Sequence, residues 1–94
     1  MMKFAKLDHC TYVLFSEADG KLYIGTTKNL KQRLTDHFNG RNPATAPRRP
    51  LRLIYCEYHA SATDARRRES YFKTTAGKKA LKMIFRDSLK ELRG

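Results

Sequence analysis

The period of the hydrophobic pattern changes along this chain, and each change predicts an element. Residues 10–16, Cys-Thr-Tyr-Val-Leu-Phe-Ser, are rich in aromatic and β-branched types and predict a strand. Glu17-Ala18-Asp19-Gly20 predicts a turn, with Asp-Gly supplying a positive-φ position. Residues 21–26 predict the returning strand of a β-hairpin. Thr27 is a plausible N-cap for a helix running to about Asn39, with Leu30, Leu34 and Phe38 as its apolar stripe and Gly40 as its stop. Residues 41–50 carry three prolines and no period, which predicts a loop. Residues 51–58 are apolar on both faces, the pattern of a central strand covered on two sides. Ser61-Ala62-Thr63-Asp64 is a capping signature at the head of a helix over 61–76, which Gly77 ends. A last helix is predicted over 78–92, with Leu81, Ile84, Phe85, Ser88 and Leu92 on one side. The order is β-β-α-β-α-α. It predicts an α+β fold, a three-stranded antiparallel sheet flanked by helices, in a single domain over residues 1–94.

One residue breaks this pattern. Ala65, Glu69, Phe72 and Ala76 follow the spacing of a core-facing helical stripe, yet Glu69 is an acid. A carboxylate on a buried face is costly unless a cation compensates it. That cation is either a metal or a basic side chain, and Arg66, Arg68 and Lys73 are all within helical reach. The first helix holds a second oddity, since Arg33 and His37 stack at i, i+4 on the edge of its apolar face. Alone, that pair reads better as a solvated rim than as a site. Tyr12 and Tyr23 are mid-strand, where tyrosine usually packs, and Gly25 marks a bulge or a close backbone approach.

Charge narrows the partners. Twenty Lys/Arg against nine Asp/Glu give a formal charge of +11, and the pI is near 10.1. Such an excess suits a polyanion such as DNA, RNA or an acidic membrane surface. The length suits one small core without a deep enclosed pocket, so chemistry belongs near the surface. Residues 1–9 lack the apolar core of a signal peptide, and no apolar run approaches transmembrane length. The expectation is a cytoplasmic chain with no membrane role and no obligatory protein partner. Cys10 and Cys56, both in predicted strands, are expected as buried reduced thiols.

Taken in order, Tyr12, then Tyr23-Ile24-Gly25, then Arg33, His37 and Glu69 resemble the GIY-YIG endonuclease module. The resemblance covers about residues 10 to 85. The segments Lys21-Leu22-Tyr23-Ile24-Gly25-Thr26-Thr27, Arg49-Pro50-Leu51, Leu53-Ile54-Tyr55 and Arg67-Arg68-Glu69 resemble small stand-alone bacterial members, some described as nucleases acting on single-stranded DNA. Two features depart from the pattern. Cys10-Thr11-Tyr12 stands where the family often has Gly-Ile-Tyr, and the late Asn of many larger members is absent around Ala80 and Leu81.

The resemblance implies metal-dependent hydrolysis of phosphodiester bonds, with DNA ahead of RNA. Glu69 would hold one Mg²⁺ or Mn²⁺ ion, completed by waters and phosphate. Arg33 would stabilise transition-state charge on the phosphate. Tyr12 is the implied base for the attacking water, His37 competes for that role, and Tyr23 would orient water or phosphate. Arg41, Arg48, Arg49, Arg52, Arg66, Arg67, Lys73, Lys78 and Lys79 are expected to meet the nucleic-acid backbone, which positions a substrate without reading its sequence. The alternative is a module of the same fold that holds nucleic acid and cuts weakly or not at all.

Overall fold

β1 (His9–Ser16) is buried at every position after His9 and runs through the middle of the sheet. The computed structural model describes residues 3–93. β2 (Leu22–Thr27) and β3 (Leu51–His59) pair with β1 on either side, both antiparallel, in the order β2-β1-β3. The helices are α1 (Leu30–Phe38), α2 (Ala62–Phe72), α3 (Thr75–Ile84) and α4 (Arg86–Leu92), with a 3₁₀ turn at Ala46–Arg48. The expected α+β class, antiparallel sheet and hairpin are all present. The hairpin turns through Gly20 at φ 69°.

Alternation along β1 builds two cores. Cys10, Tyr12 and Leu14 point to one face, where Leu30 and Leu34 of α1 and Leu51 cover them. Val13 and Phe15 point to the other, against Ile24, Phe72, Leu81, Phe85 and Leu89. Complete burial of Phe72 and Leu81 contributes about 1.5–3 kcal/mol each. This second face carries α2, α3 and α4.

Several boundaries differ from expectation, each for a local reason. β3 is an edge strand, not the central one. Val13 pairs with Tyr55 but Leu14 pairs with Leu53, so Ile54 is a bulge and both Ile54 and Tyr55 pack on the same core. That bulge imitated two buried faces. Thr27 stays in β2, and Asn29 caps α1 by accepting the Gln32 N–H at 3.1 Å. On α1, His37 is buried and Phe38 is 44 % exposed, the reverse of the expected stripe. The helix expected over 61–76 breaks after Phe72. Thr74 restarts the chain as N-cap of α3, accepting the Gly77 N–H at 3.0 Å.

Gly77 therefore does not end a helix. It sits in the first turn of α3, where a Cβ would collide with the Tyr71 carbonyl and the Phe72 backbone. Ala76 is exposed rather than part of the stripe. The helix expected over 78–92 also divides, at Phe85. Gly77, Leu81, Phe85 and Leu89 are the buried positions there, while Ile84 and Ser88 face solvent. Cys10 is buried as expected, but Cys56 is exposed, and both are free thiols.

Candidate active site

Tyr12 pairs with Gly25 across the hairpin, so both project to the α1 face. The missing side chain at Gly25 makes room for the phenol, since a Cβ there would lie 2.5 Å from the Tyr12 hydroxyl. The Tyr12 hydroxyl is 2.8 Å from His37 Nε2, and His37 Nδ1 is 2.7 Å from Thr45 Oγ1. Tyr12, His37 and Thr45 are each 0 % exposed. The Tyr23 ring is half-buried and stands 6.5 Å from the Tyr12 ring and 5.2 Å from the His37 ring, centroid to centroid.

Burial fixes the protonation of this chain. It pushes the Tyr12 phenol above its ordinary range; Tyr23 and Glu69 add to that rise and Arg33 opposes it. Burial pulls His37 below its ordinary value, and Arg33 lowers it further against Asp36. At neutral pH the phenol is therefore protonated and the imidazole neutral. A phenol is the stronger donor of the two hydroxyls. Tyr12 accordingly donates to Nε2, and Nδ1–H donates to Thr45. Thr45 carried no signal in the sequence, because it lies in the loop without a period.

Arg33 and Glu69 reach the cluster through their charges, from α1 on one face of the sheet and α2 on the other. Arg33 is exposed, and its guanidinium has no carboxylate partner among the described residues. It lines a shallow groove with Asp36, Arg41, Asn42 and Pro43. Glu69 is not deeply buried as expected. Its side chain is 24 % exposed, and Oε2 accepts from Lys73 Nζ at 3.1 Å. The break after Phe72 shortens the stripe that should have covered it.

Arg68, also within helical reach of Glu69, turns instead to Glu57 on β3, at 2.6 and 3.2 Å. Among the cations expected to meet nucleic acid, several have carboxylate partners: Arg41 with Asp36, Arg48 with Asp19, Arg52 with Glu17, Arg67 with Asp64 and Lys73 with Glu69. The Arg48 side chain is largely covered and ties the 3₁₀ turn to the hairpin. Arg49 donates to the Ala46 carbonyl at 3.0 Å. Arg66, Lys78 and Lys79 are exposed and have no ion pair among the described residues.

The donor set decides whether a divalent metal fits. Among the described residues, no group of three or more His, Cys, Asp or Glu side chains is arranged to hold an ion. That excludes a dedicated all-protein cage built from them. A single carboxylate is nevertheless the usual protein share for Mg²⁺, which keeps its waters and takes substrate phosphate. Glu69 fits that share, because Lys73 engages Oε2 and no described residue hydrogen-bonds Oε1.

The model of the GIY-YIG catalytic domain matches residues 8–82. A UPF0213 protein of Bacillus pumilus is 43 % identical over 75 residues, covering 79 % of this chain and 76 % of its own. A UPF0213 protein of Staphylococcus saprophyticus is 36 % identical over 77 residues, covering 81 % and 93 %. One from Clostridium perfringens is 36 % identical over 74 residues, covering 78 % and 80 %. No solved structure matches. With the domain match spanning most of its length, this chain belongs to the GIY-YIG family of nuclease-like domains.

Proposed function

We infer that residues 1–94 act as one divalent-metal-dependent endonuclease domain that hydrolyses phosphodiester bonds in nucleic acid, DNA ahead of RNA, with little sequence preference. One observation carries this reading: a buried neutral Tyr12–His37–Thr45 chain packs against the half-buried Tyr23, with the unpaired Arg33 one turn before His37 on α1. A buried tyrosine hydroxyl needs a partner in any fold; here that partner is a histidine held in turn by Thr45, and the pair forms the floor on which the Tyr23 ring rests.

Burial redistributes the roles expected from the sequence. Neither Tyr12 nor His37 meets solvent, and both His37 nitrogens are engaged. They are positioning residues in this reading. Tyr23, its phenol proton first given up to solvent, takes a proton from the attacking water as the new P–O bond forms and the P–O bond to the leaving oxygen breaks. Arg33 places a planar fork against the phosphate oxygens as negative charge grows there. Glu69 would hold Mg²⁺ or Mn²⁺ through Oε1. The ion, when bound, stabilises charge on the phosphoryl and leaving oxygens. The exposed cations Arg33, Arg66, Lys78 and Lys79 suit phosphate contacts, which position a strand without reading its bases, and this supports weak sequence preference.

Single-stranded, duplex and branched DNA, and RNA, incubated with Mg²⁺, with Mn²⁺ and with chelator, test the reading. Cleavage of at least one DNA with metal, lost with chelator, is expected. A second reading has one observation in its favour: Lys73 already compensates Glu69. A module that only binds would retain nucleic acid in chelator and cut nothing with either metal.

A further inference from the structure

A cleft of about 530 Å³ opens at the hairpin turn, at the opposite end of β2 from Thr27. Its walls carry Lys21, Arg48, Lys78, Lys82 and Arg93 against one carboxylate, Asp19. Asp19 is already answered. Arg48 Nε donates to it at 2.8 Å, and that hydrogen bond draws its carboxyl down to about 2. Arg93 is fixed in place: Nη2 donates to the Gly20 carbonyl at 2.6 Å, and the guanidinium lies 5.6 Å from the Phe15 ring centroid. Lys21, Lys78 and Lys82 have no ion pair with any described residue. Lys78 and Lys82 are one turn apart on α3 and share a face. Lys21, Lys78, Lys82 and Arg93 thus surround one cleft with no carboxylate left for them. Gathered like charges repel, and an anion with several oxygens relieves that repulsion.

β2 is the edge strand between this cleft and the tyrosines, which lie on the α1 face of the sheet while Lys78 and Lys82 come from α3 on the other. Arg48 Nη2 donates to the Leu22 carbonyl at 3.3 Å, Tyr23 follows, and Gly25 faces the Tyr12 hydroxyl. From Leu22 to Gly25 the strand rises about 10 Å. That is roughly three phosphate spacings along one stacked strand. Resting on the nuclease reading above, we propose that the hairpin-turn cleft is a distal phosphate-binding site, which anchors the substrate strand on one side of the cleaved bond.

A fluorescent single-stranded DNA of about twenty nucleotides tests the anchor. Binding is measured in chelator across a range of salt, and cleavage of the same strand in Mg²⁺. The variants are the Lys78→Glu/Lys82→Glu pair and Lys21→Glu. A Lys3→Glu/Lys6→Glu pair changes the net charge as much as the first variant but lies outside the cleft. All five lysines are exposed, and circular dichroism confirms folding. The α3 pair is expected to weaken binding at least tenfold and to flatten the salt slope by about 1.4, for two lost contacts on a single strand. KM should rise while kcat stays within twofold, and Lys21→Glu should act in the same direction. A cleft variant that matches the Lys3/Lys6 control in affinity and slope overturns the anchor, even where wild type cuts. Binding that follows the cleft lysines with no cutting by wild type leaves the anchor standing and overturns the nuclease reading alone. No binding by wild type overturns both.

Discussion

Adjacent residues of β1 begin two polar networks on opposite faces of the sheet, and the networks differ in kind. Tyr12 leads to His37 and Thr45, all fully buried and all neutral. Thr11 leads to His59 at 3.3 Å, and His59 to Glu57, which also takes Arg68 and the Tyr55 hydroxyl. This second network is ionic and partly exposed. Arg68 also lies 4.3 Å from the Phe72 ring centroid, binding the network to the core. Burial of the first network is affordable only because it carries no charge, whereas the second keeps its charges near water. A neutral, fully buried relay fixes the Tyr12 and His37 rings against which Tyr23 packs. A charged clamp between α2 and β3 suits stability.

That contrast predicts which variants lose rate and which lose stability. The largest effect is expected at Tyr23→Phe, with kcat falling on the order of 10²–10⁴-fold and the melting temperature nearly unchanged. Gly25→Ala drives a methyl into the Tyr12 hydroxyl. It should cost about 1–3 kcal/mol of stability and more than tenfold in rate, read by denaturant melts and cleavage kinetics together. Arg68→Ala removes the guanidinium from Glu57, leaving it the Tyr55 hydroxyl and His59, and should cost about 1–3 kcal/mol while leaving kcat within a few-fold. A large loss of kcat from Arg68→Ala, without misfolding, would erase the distinction between the two networks.

The networks also titrate in different windows. Burial holds His37 below its unfolded value near 6.5, so the unfolded chain takes the proton first. Stability should fall as pH drops below about 6.5, and level off once the buried ring is itself protonated. Burial alone would raise the Glu57 carboxyl, but the Arg68 and Tyr55 hydrogen bonds and the Arg68 charge outweigh it and hold it low. Its contribution is present at neutral pH and is lost as pH falls through the ordinary carboxylate range and then through the lowered value. His37→Gln should remove the upper step of a melting-temperature profile, and Glu57→Gln the lower one.

Much of the fold could be read from residue order, and the misreadings have physical causes. The hairpin is plain because Asp19-Gly20 supplies its turn and Tyr12, Val13, Leu14 and Phe15 form an unbroken aromatic and aliphatic run before it. β3 misled because the Ile54 bulge puts two consecutive residues on one core. Gly77 misled because a glycine chosen for close helix approach looks the same in sequence as one that ends a helix. Tyr12, Tyr23 and His37 could be proposed together only through the resemblance, and their spacing says nothing of burial. Thr45 was invisible because a buried hydroxyl in a loop has no period. The expected deep burial of Glu69 failed when Thr74 began a new helix and took Ala76 off the stripe.

The central claim is that Glu69 serves a metal rather than the fold. Its pairing with Lys73 is an exposed i, i+4 contact worth about 0.3–0.5 kcal/mol. The account predicts that Glu69→Gln abolishes Mg²⁺- and Mn²⁺-dependent cleavage, leaves DNA binding in chelator intact and shifts stability by less than about 1 kcal/mol. Cleavage by the Gln variant at the wild-type rate would contradict it.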